Sequence, residues 1–254
     1  MSRLSFAGPF LISALLAAPA GAATAPGNQG KTWADIAKLP QITGVYETAR
    51  MSRGTAGNRP PARDAPPEFT PKAQAELAAY QKLGNQDTDA ANCLPPGMPG
   101  VMTQPYPIQI LVTPGEVTII QEAYMQVRHV HTDGRDHPAD PDLTFNGDSI
   151  GHWEGDTLVV DTVGLAPQAV LRTGVTHSKN EHIVERYRLS DPNMLEVKTT
   201  IEDPGVLAKP WQTTAQFARH KEYSLAEYIC EQNNRNSVGP DGKAGINLSL
   251  KTGP

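Results

Sequence analysis

Three features are scarce in this 254-residue sequence: cysteine, surplus positive charge and long apolar segments. The chain holds 22 Lys and Arg residues against 27 Asp and Glu, for a formal net charge of -5. A protein that binds nucleic acid by neutralising phosphates needs a basic surplus, so the composition argues against a nucleic-acid partner. No apolar run reaches the roughly 20 residues that span a bilayer, and we expect no membrane span.

The first 22 residues have the features of a secretory signal peptide. Arg3 supplies the positive charge, residues 6–18 are mostly apolar, and Ala20-Gly21-Ala22 has the small-x-small pattern that signal peptidase cleaves. The alternative, a membrane anchor, is disfavoured because the apolar run is too short. We therefore predict cleavage near Ala22 and a periplasmic or secreted location.

Only two cysteines, Cys93 and Cys230, are present. An oxidising compartment favours their pairing, and in the chain-entropy model a bridge across so long a loop contributes roughly 4–5 kcal/mol. The alternative is a catalytic thiol, but neither cysteine has a His or Lys beside it in the sequence to activate it. We therefore predict a disulfide between Cys93 and Cys230.

Glycine and proline number 22 and 23 residues, which predicts many turns and argues against a helical bundle. From residue 106 onward, apolar and polar residues alternate as they do in half-buried strands. The segments with this period are 108–112, 117–122, 125–131, 149–154, 157–163, 181–189, 194–202 and 211–219. We predict a mainly β fold, an antiparallel meander that closes into a barrel of about 8–10 strands with a lumen for a small ligand.

The same pattern divides the chain into four parts. They are a signal peptide (1–22), an N-terminal extension of helices and loops that packs on the barrel (23–105), the barrel (106–235) and a flexible C-terminal tail (236–254). In the extension, Thr32 caps a short helix and residues 42–47 form a first strand. Thr70-Pro71 then begins a longer helix that ends at Gly84.

The turn at Gly155-Asp156 determines the register of one hairpin, because glycine in the first position suits a type II′ turn. Pairing outward from this turn makes His152 and Asp161 diagonal neighbours within side-chain reach, so both are candidate catalytic residues. Trp153 lies on the other face. Core packing is the commoner role of such a tryptophan, and we also consider it as a substrate contact.

A second hairpin turns at residues 191–193, with Ser190 opposite Met194. This register places Glu185 on an apolar face beside Tyr187, and a one-residue slip would bury two arginines instead. A carboxylate there is either paired or protonated. It is thus a general acid or base with Tyr187 as a substrate contact, or half of a buried ion pair with Arg128 or Arg135.

The segment 128–138 (RHVHTDGRDHP) is a second concentration of polar groups. His131 and Asp133 share one face of a strand end, which makes them candidate catalytic residues, and Arg135 is a candidate substrate contact. His129 shares that face too. His129, His131 and a distant His177 are an alternative ligand set for zinc or iron, although His-x-His pairs arise easily by chance. We predict no cofactor.

His177 falls in a loop that we expect at the barrel mouth, where it is a candidate substrate contact. The neighbouring Ser178 suggests a serine hydrolase, but the chain contains no Gly-x-Ser-x-Gly motif.

Several motifs resemble those of an uncharacterised family of secreted bacterial proteins. They are CLPPGMPG (93–100), DGRDHP (133–138), NGDSIGHWEGDTLVVDTVG (146–164), THSKNEHIVERY (176–187) and TIEDP (200–204), within roughly residues 92–235. The resemblance implies an exported β-rich domain, and the hairpin pattern is similar to lipocalin-like (calycin) barrels. It transfers no activity and no catalytic residue. Similar sequences have apolar or aromatic residues at the position of His129 and His131, which puts a family-wide metal site in doubt.

These observations predict an exported enzyme that uses acid–base chemistry in the barrel lumen. Its substrate would be a small, mostly apolar or aromatic molecule, and its reaction that of a lyase, isomerase, cyclase or hydrolase. The alternative is a non-catalytic periplasmic binding protein for a hydrophobic ligand, which needs a lumen but no poised base. A structural envelope protein is a third possibility, because barrels host many functions.

Overall fold

A computed structural model of the chain describes residues 30–49, 64–82, 93–172 and 175–230, and two short segments at 237–238 and 244–245. The expected signal peptide and most of the expected C-terminal tail lie outside these residues. Among the described residues, no helix is both long and apolar enough to cross a membrane.

Strands dominate the described structure. In chain order they are β1 (Gly44–Thr48), β2 (Ile108–Thr113), β3 (Glu116–Gln121), β4 (Gln126–His131), β5 (Asp148–Glu154), β6 (Thr157–Val163), β7 (Val170–Arg172), β8 (Val175–Thr176), β9 (His182–Asp191), β10 (Met194–Glu202), β11 (Trp211–Arg219), β12 (Ser237–Val238) and β13 (Ala244–Gly245). Two α-helices, α1 (Trp33–Ile36) and α2 (Pro71–Lys82), and two 3₁₀ turns, Gly100–Thr103 and Ala123–Met125, complete the fold.

Nine of these strands form a closed barrel in the order β1-β11-β10-β9-β6-β5-β4-β3-β2. The predicted mainly β barrel of about 8–10 strands is therefore confirmed. Strand β1 pairs with both β11 and β2, so the barrel is not confined to residues 106–235. The pairs β7–β8 and β12–β13 are separate two-stranded sheets.

One pair of neighbouring strands departs from the expected antiparallel meander. β4 and β5 run parallel, and they pair only at Val130–Ser149 and His131–Ile150. Parallel strands need a crossover connection, and the chain between residues 131 and 148 provides it. The barrel is therefore mixed rather than wholly antiparallel.

The two predicted hairpin registers are observed. Trp153 pairs with Leu158 in the first hairpin, and Tyr187 pairs with Val197 in the second. One detail was wrong, because Met194 pairs with Asp191 rather than with Ser190, and the register shifts between Met194 and Leu195. The Asn193 backbone N–H donates to Asp191 Oδ1 at 2.8 Å, which tightens the turn and leaves Ser190 as the bulged residue.

Two apolar clusters hold the fold together. The first fills the barrel with inward-facing side chains such as Tyr46, Ile119, Leu158 and Phe217. The second packs helix α2 and the chain around β7 and β8 against β9 and β10. Strand β3 alternates half-buried and buried residues along its whole length, because successive side chains point to opposite faces.

A disulfide joins Cys93 to Cys230, as predicted, with the two Cα atoms 5.7 Å apart. It links the chain just before the first 3₁₀ turn to the segment that follows β11. The loop it closes contains nearly the whole barrel.

Candidate functional site

A buried ion pair lies inside the barrel. Arg128 Nη2 from β4 donates to Glu185 Oε2 from β9 at 2.6 Å, and both side chains are almost fully inaccessible. The Tyr187 hydroxyl donates to the other oxygen, Glu185 Oε1, at 2.8 Å. The structure thus favours the ion-pair interpretation of Glu185, with Arg128 rather than Arg135 as the partner.

The rest of the Arg128 guanidinium is also satisfied. Its Nε donates to Ser149 Oγ at 3.1 Å, and its Nη2 donates to Thr162 Oγ1 at 2.7 Å. Burial acts to lower the pKa of Arg128, but the charge and hydrogen-bond interactions with Glu185 and Tyr187 together outweigh burial, and the pKa is raised. Burial and the same carboxylate hold the pKa of Tyr187 well above its ordinary value, so its hydroxyl remains a donor. This network fixes the barrel interior and leaves Glu185 no free oxygen.

A pocket of about 370 Å³ opens beside the parallel pair β4–β5, and we call it the seam pocket. It is lined by residues 126–129 and 131 of β4 and by residues 144–149, which lead into β5. The two strands pair only near Val130 and His131, so their backbones separate toward Gln126 and leave this space.

Two histidines of β4 line one wall of the seam pocket. His129 Nδ1 lies 2.9 Å from Glu116 Oε1, and His131 Nδ1 lies 3.9 Å from Glu116 Oε2. The hydrogen bond from His129 lowers the pKa of Glu116, which therefore remains a carboxylate near neutral pH. His131 is about one-quarter exposed and makes no closer ion pair among the described residues. It is the less engaged of the two histidines.

Of the predicted strand-end group, His131 lines this pocket, and Asp133 and Arg135 follow it just beyond β4. Arg135 Nη2 donates to Asp133 Oδ2 at 2.6 Å, and this contact lowers the pKa of Asp133 to about 2. The hydrogen bond to Asp133 raises the pKa of Arg135, and the negative charges of Asp133, Asp148 and Glu116 add to this effect. Asp133 and Arg135 thus contact each other as their spacing in the sequence suggested, whereas the charge contribution of Asp148 was not anticipated.

Asp148, on the opposite wall, belongs to a line of alternating carboxylates and imidazoles, which we call the histidine–carboxylate chain. Its members are Asp148, His137, Asp161, His182 and Glu202. His137 Nδ1 lies 2.5 Å from Asp148 Oδ1, and His137 Nε2 lies 3.0 Å from Asp161 Oδ1. His182 Nε2 lies 2.9 Å from Asp161 Oδ2. The chain runs along the outer face of the barrel.

The predicted diagonal pair of His152 and Asp161 does not make contact as expected. Asp161 is occupied by His137 and His182, while His152 Nε2 lies 3.1 Å from Glu154 Oε1. The register is right, but the prediction omitted the loop that brings in His137 and the strand that brings in His182. Trp153 is 6% exposed and packs in the barrel core, as a structural tryptophan does.

His177 lies in a third polar group, which is buried rather than open at a barrel mouth. Its Nδ1 contacts the Ser178 carbonyl at 2.8 Å, and its Nε2 contacts the Ala166 carbonyl at 2.6 Å. Ser178 Oγ donates to Asp203 Oδ1 at 2.7 Å instead of to the imidazole. The group therefore lacks the serine-to-histidine hydrogen bond of a serine hydrolase.

The alternative metal ligands are not brought together. His129 and His131 face Glu116, whereas His177 faces two backbone carbonyls and Glu181. In the part of the chain that the structure describes, no group of three or more His, Cys, Asp and Glu side chains is arranged to hold a metal ion.

No model of a known protein family matches the chain, and no curated protein matches it. The site must therefore be interpreted from its own geometry.

Sequence reasoning missed Asp148, His137 and His182 as site residues. Asp148 and Asp161 share the outer face of the first hairpin, and the predicted register already implied that the two residues lie on the same face. His182 reaches Asp161 because β9 pairs with β6, although β7 and β8 lie between these two strands in the chain. His137 comes from the long crossover, for which the sequence offers no register.

Proposed function

We propose that this chain is an exported enzyme that performs metal-independent acid–base chemistry on a small molecule bound in the seam pocket. The observation that carries the proposal is the pairing of a cavity with titratable groups on both walls, His131 on one side and Asp148 on the other. Asp148 is held in place by His137, and His131 is not committed to a close partner. Acid–base catalysis needs such a pair within reach of one ligand.

The barrel centre is packed by apolar side chains and the Arg128–Glu185 pair, so we place the reaction in the seam pocket rather than in a central lumen. The pocket suits a small molecule that presents at least one polar oxygen to His131 and Asp148. Phe145 and Val127 line the same space and can contact an aromatic or aliphatic body. A lyase, isomerase, cyclase or hydrolase reaction fits such a site.

Export and a lipocalin-like relationship belong to the same proposal. The Cys93–Cys230 disulfide supports an oxidising compartment, since disulfides persist outside the cytosol. The closed barrel and its hairpins support the lipocalin-like relationship, and the parallel pair β4–β5 departs from it.

The test is conversion of small molecules in an extract by the purified chain, followed by mass spectrometry. Wild type is compared with His131→Gln, Asp148→Asn and the control Asp156→Asn, which alters an exposed pair with Arg188. We expect a compound to be consumed by wild type and by the control, and about 10²–10⁴-fold more slowly by the two pocket variants. Pocket variants as active as wild type would contradict the proposed site.

The same experiment addresses the binding-protein alternative. A carrier retains a compound through desalting and releases it chemically unchanged on denaturation. Retention without conversion would replace the enzyme by a carrier that uses the same pocket.

A further inference from the structure

The histidine–carboxylate chain crosses four strands on the outer face of the barrel. Asp148 begins β5, Asp161 lies in β6, His182 begins β9 and Glu202 ends β10. The crossover between β4 and β5 inserts His137 between the two aspartates. The last step, from His182 Nδ1 to Glu202 Oε2, is 3.8 Å.

The sheet register explains why these side chains meet. Asp161 pairs with Ile150 across β5 and β6, so Asp148 lies on the same face one diagonal step away. Asp161 pairs with Val184 across β6 and β9, which places His182 diagonally on the other side. His182 and Glu202 face each other directly.

Each inner member of the chain uses different atoms for its two neighbours. His137 contacts Asp148 through Nδ1 and Asp161 through Nε2. Asp161 contacts His137 through Oδ1 and His182 through Oδ2. In a set of separate surface ion pairs, each carboxylate would contact one partner only. Here His137 and Asp161 each contact two neighbours. The hydrogen bonds thus form a continuous line along which a proton can pass from one group to the next.

We propose that the histidine–carboxylate chain is a proton relay between the seam pocket and the outer face at β9 and β10. Its catalytic use rests on the proposed function, and within that function the relay assigns to Asp148 the step of taking a proton from a bound substrate. A ligand in the pocket covers Asp148 on that side, so the relay supplies the proton with a route to water. His137, Asp161 and His182 are positioning residues in this scheme.

The transfer involves only N–H and O–H bonds. Protonated Asp148 gives its proton to His137 Nδ1, and the proton on His137 Nε2 passes to Asp161. Asp161 passes a proton to His182 Nε2, and His182 Nδ1 releases one to water or to Glu202. One proton enters the relay and one leaves it, with no oxidant or reductant.

The test measures whether a change at Asp148 reaches His182 through Asp161. The ring nitrogen signals of His182 are followed by NMR against pH in the full chain with labelled histidine. Asp148→Asn is expected to shift the titration midpoint of His182 by about 0.5 pH unit, although the two residues make no contact. In an Asp161→Asn background the same substitution is expected to have no effect, and Asp156→Asn is the control that leaves His182 unchanged.

A shift that persists in the Asp161→Asn background would show coupling through space and overturn the relay, as would no shift in the wild-type background. Tight one-to-one binding of zinc chloride that depends on His137 and His182 would also overturn it. The relay and the proposed function can fail separately. Coupling without any substrate conversion contradicts the function, whereas conversion whose pH profile is unchanged by His182→Gln contradicts the relay.

Discussion

Two buried glutamates, Glu181 and Glu185, lie four residues apart and have opposite surroundings. Glu185 has hydrogen bonds to both oxygens, one from Arg128 and one from Tyr187. Among the residues that the structure describes, neither carboxylate oxygen of Glu181 has a hydrogen-bond partner, and His177 Nδ1 lies 3.3 Å from its Oε2. Burial alone therefore does not decide the protonation state of a carboxylate, because the groups that contact it also contribute.

The surroundings of Glu181 change its pKa. Burial, and then the negative charge of Asp203, raise the pKa of Glu181 to about 8. Glu185 faces a guanidinium that satisfies it in the charged form. Glu185 is therefore part of the hydrogen-bonded network inside the barrel, whereas Glu181 retains at neutral pH a proton that it can lose.

The largest expected effect follows from removing the charge of Glu185. Glu185→Gln leaves Arg128 buried without its counter-ion, and we expect the free energy of unfolding to fall by about 3–5 kcal/mol. Urea denaturation at pH 7 measures the change. The matched control is Glu154→Gln, which breaks an exposed pair with Arg186 and should cost less than about 1 kcal/mol. Equal effects of the two substitutions would show that the inner pair is not special.

A pH-dependent effect is expected from Glu181. Its pKa in the folded chain, about 8, is higher than in the unfolded chain, so between about pH 4.5 and 8 the folded state binds more protons. The stability that Glu181 contributes is therefore present below this window and is lost as pH rises through it. Each tenfold change in proton affinity corresponds to about 1.4 kcal/mol.

Glu181→Gln removes this titration. Urea denaturation between pH 5 and 8 should show a flatter dependence for the variant than for wild type, and a variant that is the more stable of the two at pH 8. A wild-type curve that rises with pH in this range would mean that His177 holds Glu181 in the charged form.

A smaller effect is expected from Tyr187→Phe. The substitution leaves Glu185 Oε1 without its donor but keeps the ring and the Arg128 contact. We expect a loss of about 1–2 kcal/mol in thermal or urea unfolding, since a buried acceptor becomes unsatisfied. A loss as large as that of Glu185→Gln would mean that the hydroxyl, rather than the guanidinium, anchors the carboxylate.

The sequence predicted those parts of the site that depend on local pairing. The placement of Glu185 follows from a turn six residues away. His131, Asp133 and Arg135 lie within five residues of one another in the sequence. Arg128 could be named only as one of two partners, because choosing it requires knowing that β4 and β9 face each other across the barrel. Turn chemistry carries no such information.

The histidine–carboxylate chain shows the limit more clearly. Its members come from strands that are neighbours only because β9 pairs with β6 and because β4 crosses to a parallel β5. Both connections are non-local and leave no periodic pattern. Asp161 was predicted as a site residue because of the face on which it lies. Its predicted partner was His152, whereas its observed partners are His137 and His182.

The position of β1 in the barrel affects the order in which the strands can pair during folding. The barrel consists of two groups of consecutively paired strands, β2–β4 and the set β5, β6, β9, β10 and β11, which meet at the seam on one side and are joined by β1 on the other. A ribosome makes β1 first, but one of its two partners, β11, is made more than 160 residues later, at Trp211–Arg219. Until then the outer edge of β1 and the edge of the growing second group are open to intermolecular pairing. The first barrel strand to be synthesised is thus among the last to be fully paired, which makes ring closure a late event in folding.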